Sequence, residues 1–216
     1  MDEARKIRLL LELRRQGIAD TAVLGAIEKV PREVFVPEAF LDQAYENIAL
    51  PIASGQTISQ PYVVAAMTAA LEVGPRMKVL EVGTGSGYQV AVLAHLCRRL
   101  YTIERHRDLS EEAAAKFKLL RLTNIVMQVG DGAEGWPQQA PFDRIIITAC
   151  ADSRPEALID QLRDGGIMVL PLTVPDGRGQ RLVRLRREGD IILQEDLMGV
   201  RFVPLVPGIA GSAADT

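Results

Sequence analysis

The 216-residue chain carries 25 Lys and Arg against 28 Asp and Glu, a formal net charge of −3, and is 48% hydrophobic. That is ample apolar material for a core, while the slightly acidic balance gives no general attraction for nucleic acid or an anionic membrane surface. No apolar run approaches the roughly 20 residues that span a bilayer, and the first residues are charged and amphipathic rather than secretory, so a cytoplasmic protein is expected.

A helical pattern over residues 2–16 turns Ile7, Leu10, Leu11 and Leu13 inward and stops at Gly17; a second helix is expected from Asp20 as cap to Val30, before Pro31. Pro31, Pro37 and Pro51 then punctuate a stretch with little room for regular elements, which reads as an irregular wall or lid. A third helix starts near Gln60-Pro61 and places Val64, Met67 and Leu71 on one face. From Lys78 strands and helices alternate. The expected order is strand Val79 to Val82, helix Ser86 to Leu96, strand Leu100 to Ile103, helix from about Asp108 to Arg121 and strand Ile125 to Val129. After Gly130-Asp131-Gly132 come a strand Arg144 to Thr148, a helix from about Arg154 to Leu162 and a strand Ile167 to Leu170. Such alternation predicts an α/β fold with a doubly wound, Rossmann-like parallel sheet and helices on both faces. Leu182 to Arg187 and Asp190 to Glu195 flank Glu188-Gly189 as a hairpin, and Val200 to Val203 form a last strand, so the sheet becomes mixed at one edge. The whole chain, 1–216, is expected to be one domain: N-terminal helices and wall over 1–60, the strand–helix core over 61–175, hairpin and last strand over 176–207, and a loose tail from 208.

Two cysteines, Cys97 and Cys150, without a CxxC pair and with only His95 and His106 beside them, argue against a zinc site. The informative stretch is Val79-Leu80-Glu81-Val82-Gly83-Thr84-Gly85-Ser86-Gly87-Tyr88, a short apolar run ending in an acid and then three glycines at alternate positions. They fall on a strand-to-helix turn, where backbone must pass close to a ligand, or where helix and strand must simply pack closely. The dinucleotide fingerprint wants a small residue where Tyr88 stands, which disfavours NAD. The Glu-x-Gly-x-Gly-x-Gly segment resembles the first motif of S-adenosylmethionine-dependent methyltransferases, which makes Gly83, Thr84, Gly85, Ser86 and Gly87 the expected cofactor turn. Glu104 closes the next strand about 20 residues beyond the glycines, where an acid can accept both ribose hydroxyls of a nucleoside; its alternative is an ordinary capping glutamate. Asp131 can accept from an adenine amino group while Gly132 offers backbone, unless the pair only forms a turn. Glu81 can hold the cofactor's ammonium or brace the glycine turn. Ser59, in Thr57-Ile58-Ser59-Gln60-Pro61-Tyr62, stands just ahead of a helix as a cap would, and no nucleophile elbow surrounds it.

Taken together the chain resembles the protein-L-isoaspartate O-methyltransferases. The resemblance rests on Val30-Pro31-Arg32-Glu33-Val34-Phe35-Val36-Pro37, Gly55 to Tyr62, Val79 to Gln89, Tyr101 to Arg105, Gly130-Asp131-Gly132, Phe142 to Ala149 and Val200 to Leu205, in that order. It implies methyl transfer from S-adenosylmethionine to the free carboxylate of an L-isoaspartyl residue in damaged proteins and peptides. It further implies that Ser59 hydrogen-bonds this carboxylate, that Thr57, Ile58 and Gln60 shape its pocket, and that Val203 to Val206 run beside the peptide. The expected partners are isoaspartyl proteins, with neither nucleic acid nor membrane, and the expected state is a monomer. Alternatives are a small-molecule carboxyl methyltransferase, a nucleic-acid methyltransferase, against which Thr148-Ala149-Cys150-Ala151-Asp152 argues, and a non-catalytic binder of the cofactor. Arg178, Arg181, Arg184, Arg186 and Arg187 are read as a solvated hairpin face rather than an anion patch.

Overall fold

The computed structural model describes residues 2–174 and 177–211. It opens with two helices, α1 (Asp2–Arg15) and α2 (Thr21–Lys29). Asp20 accepts from the backbone N–H of Ala22 and Val23, at 2.9 and 3.1 Å, which satisfies two donors that a helix start leaves free. α1 buries a narrower stripe than its pattern suggests. Leu9 and Leu13 are buried, whereas Ile7 and Leu11, expected inside, are about half exposed, because α1 meets α2 and α3 along one i, i+4 row only.

The proline-punctuated wall consists of two 3₁₀ turns, Arg32–Phe35 and Glu38–Gln43, and a two-residue ladder between β1 (Leu50–Pro51) and β2 (Thr57–Ile58). α3 (Pro61–Leu71) starts on proline, whose missing N–H is one that a helix start cannot use. It ends at Glu72 in the left-handed conformation.

Among the described residues, seven strands then form one sheet in the order β5-β4-β3-β6-β7-β8-β9. β3 (Lys78–Val82), β4 (Arg99–Glu104), β5 (Ile125–Val129), β6 (Phe142–Ile147) and β7 (Leu162–Thr173) pair in parallel. β8 (Gln180–Glu188) and β9 (Ile191–Val200) add antiparallel pairs, so the sheet is mixed at one edge as expected. α4 (Tyr88–Ala94), α5 (Arg107–Leu119) and α6 (Glu156–Ile159) connect the strands. Continuous burial of Val79, Leu80, Glu81 and Val82 follows from β3 lying at the centre with cover on both sides. Val79 and Ile146 join one apolar cluster with the N-terminal helices; Leu80, Val82, Ile145 and Ile147 join the other with α6.

Several boundaries differ from the sequence reading. α4 starts at Tyr88 rather than Ser86, since Gly87 sits at φ 88° as its left-handed flank. α6 is one turn long because β7 begins at Leu162, and a bulge lies between the pairings of Phe142 and Arg144. The tight hairpin turns on Gly189-Asp190, one residue later than expected, with Glu188 facing Ile191. Val200 to Val203 is not a separate strand: β9 runs to Val200, and the chain then leaves the sheet. There Cys150 N–H donates to Val203 O and Leu205 N–H to Cys150 O, both at 2.7 Å. The tail is held as far as Ala210, whose N–H donates to Arg105 O at 3.0 Å, and residues 212–216 lie outside the described part. The hairpin arginines are not merely solvated. Arg184 meets Glu72 at 2.8 Å and Glu195 at 2.5 Å, and Arg186 meets Glu72 at 3.3 Å, which ties the hairpin to the end of α3.

Candidate active site

The chain winds outward from β3 through β4 and β5, then crosses back to β6 on the other side of β3. At such a reversal the loops beyond the strand ends separate and leave a crevice. A cavity of about 820 Å³ opens there. Glu81, Gly83, Thr84, Gly85, Ser86, Glu104 and Gly132 line it, and so do Thr57, Ile58, Ser59, Gln60, Val203 and Val206. Gly87 and Asp131, both expected at the cofactor, do not line it.

The glycine turn has φ of 95°, 51° and 88° at Gly83, Gly85 and Gly87, where side-chain-bearing residues are strained. Packing sets two of the three. A Cβ on Gly83 would lie 2.5 Å from Thr148 Oγ1, and one on Gly87 would lie 2.8 Å from the Phe117 ring of α5. Gly87 is therefore demanded by helix packing. Gly85 has nothing nearer than Ile52 Cδ1 at 4.0 Å, so only here does the turn keep open space in front of it. The Thr148 hydroxyl is shared between Gly83 O at 2.6 Å and Val82 O at 3.0 Å, and Thr84 and Thr102 join hydroxyls at 2.7 Å. Ser86 Oγ accepts from Tyr88 N–H at 3.2 Å at the start of α4.

Glu81, next to last in β3, is completely buried, and neither carboxylate oxygen has a hydrogen-bond partner among the described residues. Burial, and then the charge of Glu104, hold its carboxyl well above the usual carboxylate range. Glu104 is buried too, but both oxygens are engaged: Oε2 accepts from Gly85 N–H at 2.8 Å and Oε1 from His106 N–H at 3.0 Å. It thus fixes the glycine turn to the start of α5 and keeps one lone pair on each oxygen for a ligand. Asp131 is not among the lining residues, and both of its carboxylate oxygens serve the backbone. Oδ1 accepts from Ala133 N–H at 2.8 Å, and Oδ2 from Gly208 N–H at 2.7 Å, which fastens the returning C-terminal segment. Gly132 must be glycine, since a Cβ there would lie 2.4 Å from Val82.

Ser59, which also lines the cavity, does not cap α3. Its hydroxyl bonds to none of the described residues, and the cap is supplied by Asn47, whose Oδ1 accepts from Tyr62 N–H at 2.9 Å. The Asn47 carbonyl also accepts from Gln60 Nε2, and its Nδ2 donates to Glu12 on α1, both at 2.8 Å. The wall therefore sets the loop that carries Ser59. Asn47 and Thr148 were both missed as organisers of the site, since no spacing relates them to the residues they hold.

A parallel sheet reversing beside β3, a glycine turn at the reversal and an acid closing β4 define a Rossmann-like methyltransferase fold that binds S-adenosylmethionine. The buried Glu81 carboxyl, on a residue that lines the cavity and without a hydrogen-bond partner among the described residues, fits this cofactor, which carries an ammonium group. Residues 4–210 match the family of protein-L-isoaspartate(D-aspartate) O-methyltransferases. The protein-L-isoaspartate O-methyltransferase of Paramagnetospirillum magneticum is 62% identical over 207 residues, 96% of this chain and 97% of that one. That of Parvibaculum lavamentivorans is 60% identical over 209 residues, 96% and 94% of the two chains. A solved protein-L-isoaspartate O-methyltransferase superposes with a TM-score of 0.84 at 26% identity over 92% of this chain, which spans only 65% of that longer one. A Plasmodium falciparum beta-aspartate methyltransferase structure in complex with S-adenosyl-L-homocysteine gives 0.79 at 25% identity, over 92% and 97% of the two chains. The chain belongs to the protein-L-isoaspartate(D-aspartate) O-methyltransferase family.

Proposed function

We propose that this chain esterifies the free α-carboxylate of L-isoaspartyl residues in damaged proteins and peptides, the reaction that opens their repair. The observation that carries the reading is one cavity lined both by the glycine turn with Glu81 and by the Thr57 to Gln60 loop. When bound, S-adenosylmethionine supplies a methyl group activated by a positively charged sulfur, and its transfer leaves S-adenosyl-L-homocysteine and a methyl ester. A carboxylate is ionised at neutral pH, so the site needs no general base, and the absence of histidine from the Ser59 loop is consistent with that.

What the residues supply is alignment, which in favourable cases is worth about 7 to 11 kcal/mol. In this reading Ser59 donates its free hydroxyl to the substrate carboxylate. Thr57, Ile58 and Gln60 shape the pocket, and Val203 and Val206 run beside the peptide. Glu81 meets the cofactor's ammonium, and Glu104 takes the ribose hydroxyls on the lone pairs left by Gly85 and His106. Gly83, Thr84, Gly85 and Ser86 wall the cofactor, and Gly132 offers backbone to its adenine. Gly87 and Asp131 act behind the lining, one in packing and one in holding Gly208. No helix among the described residues is long and apolar enough to cross a membrane. A one-domain, monomeric, cytoplasmic enzyme that takes peptides rather than nucleic acid is the accompanying proposal. The reading is tested by locating the methyl group, by mass spectrometry, on a peptide with one isoaspartyl residue. A methyl found on an ordinary side-chain carboxylate or the C-terminus instead would refute it.

A further inference from the structure

Arg32 lies in the first 3₁₀ turn of the wall and is completely buried. Its sequence neighbour Glu33 is taken by the Tyr45 hydroxyl, so the nearest acid in sequence is engaged elsewhere. Nη2 donates to Ser59 O at 2.9 Å and, more distantly, to Ile48 O at 3.5 Å. Nε and Nη1 have no hydrogen-bond partner among the described residues. The guanidinium carbon stands 4.6 Å from the centre of the Tyr88 ring, and Tyr88 is the residue that opens α4 directly after Gly87.

A buried cation without a carboxylate partner is a poor way to stabilise a fold; an apolar side chain of similar length fills the same space without the cost of desolvating a charge. The geometry gives Arg32 a different use. It joins two residues that line the cavity, gripping the backbone of Ser59 with a planar donor and stacking on Tyr88, which directly follows the glycine turn. Holding the Ser59 carbonyl fixes the peptide plane from which its side chain projects.

We infer that Arg32 is the positioning residue that sets Ser59, and through it the substrate carboxylate, at a fixed distance from the cofactor turn. The inference rests on the role proposed for Ser59. Because Arg32 acts through Ser59 alone, its removal costs nothing further once the hydroxyl is gone.

The test compares Arg32→Met, Arg32→Lys, Ser59→Ala and the double variant Arg32→Met with Ser59→Ala. Melting temperature, S-adenosylmethionine affinity by calorimetry, and kcat and KM for an isoaspartyl peptide are read for each. Arg32→Met is expected to melt no lower than the unchanged protein and to bind the cofactor within about twofold, while kcat/KM for the peptide falls about tenfold. Arg32→Lys, which keeps the charge and a single donor, falls less. The double variant is no slower than Ser59→Ala, the non-additivity expected of residues acting as a unit. Rates that multiply in the double variant, a parallel loss of melting temperature and cofactor affinity, or failure of both Arg32 variants to fold would overturn the inference. Full activity of Arg32→Met beside a slow Ser59→Ala would overturn it alone. A Ser59→Ala variant as fast as the unchanged protein would remove the role of Ser59 and the inference with it.

Discussion

Replacing Glu81 by glutamine changes one oxygen for one nitrogen at a fully buried site, yet it removes a carboxyl able to exchange a proton on cofactor binding. Burial first, and Glu104 second, raise the carboxyl well above its usual value. In the cofactor-free protein the folded state thus keeps a proton that the unfolded chain has already lost. The stability this contributes is complete below the usual carboxylate range and declines as pH rises through the raised value. A bound ammonium favours the ionised form, so in the same window cofactor binding releases up to one proton and affinity rises by up to about tenfold per pH unit. Glu81→Gln abolishes that slope. Taking about 1.5 to 3 kcal/mol for a hydrogen bond between charged groups, it weakens cofactor binding by roughly tenfold to 150-fold above the window. The cofactor-free variant is no less stable than the unchanged protein at high pH. Titration calorimetry in two buffers of different ionisation enthalpy, repeated across pH, counts the released proton directly. Equal affinities for the two proteins, with no proton released by either, would refute the assignment of Glu81 to the ammonium.

Ser59→Ala should slow turnover of an isoaspartyl peptide by roughly tenfold to 150-fold, with cofactor affinity unchanged; a change under about twofold would take the hydroxyl out of the reaction. Gly87→Ala forces a side chain into φ 88° and against the Phe117 ring. At about 1 to 3 kcal/mol, thermal melting should fall by about 2 to 12 °C. Gly25→Ala provides the contrast, since Gly25 lies within α2 and a Cβ there meets nothing within 4 Å. It should stabilise by about 0.5 to 1 kcal/mol without touching activity, and a lower melting temperature would show that the packing around α2 is tighter than described.

Elements with local causes were legible. β3 and β4 are short apolar runs with an acid next to or at the end, α3 begins on Pro61, and the Asp20 cap stands where its side chain must accept. The glycine turn announces itself because positive φ at alternate positions leaves few other residues available. What could not be read depends on contacts distant in sequence. Leu11 repeats the helical period of a buried residue, but the packing around α1 leaves it about half exposed. Asp131 stands in an expected binding position, and only the return of Gly208, 77 residues later in the chain, shows where its carboxylate goes. Gly83 and Gly87 read alike, although one lines the cavity and the other only lets α5 approach. Arg32 carries no sign in its neighbours that it is buried, because the carbonyl it holds belongs to another segment of the wall, 27 residues on.

The measurement that bears most directly on the central claim is the ratio of kcat/KM for two peptides of identical composition, one with L-isoaspartate and one with L-aspartate at the same position. Labelled methyl transferred from S-adenosylmethionine is followed beside a control without peptide. The account predicts esterification of the isoaspartyl peptide and label at the control level for the aspartyl one. Comparable labelling of both, or of neither by folded protein that binds the cofactor, would contradict it.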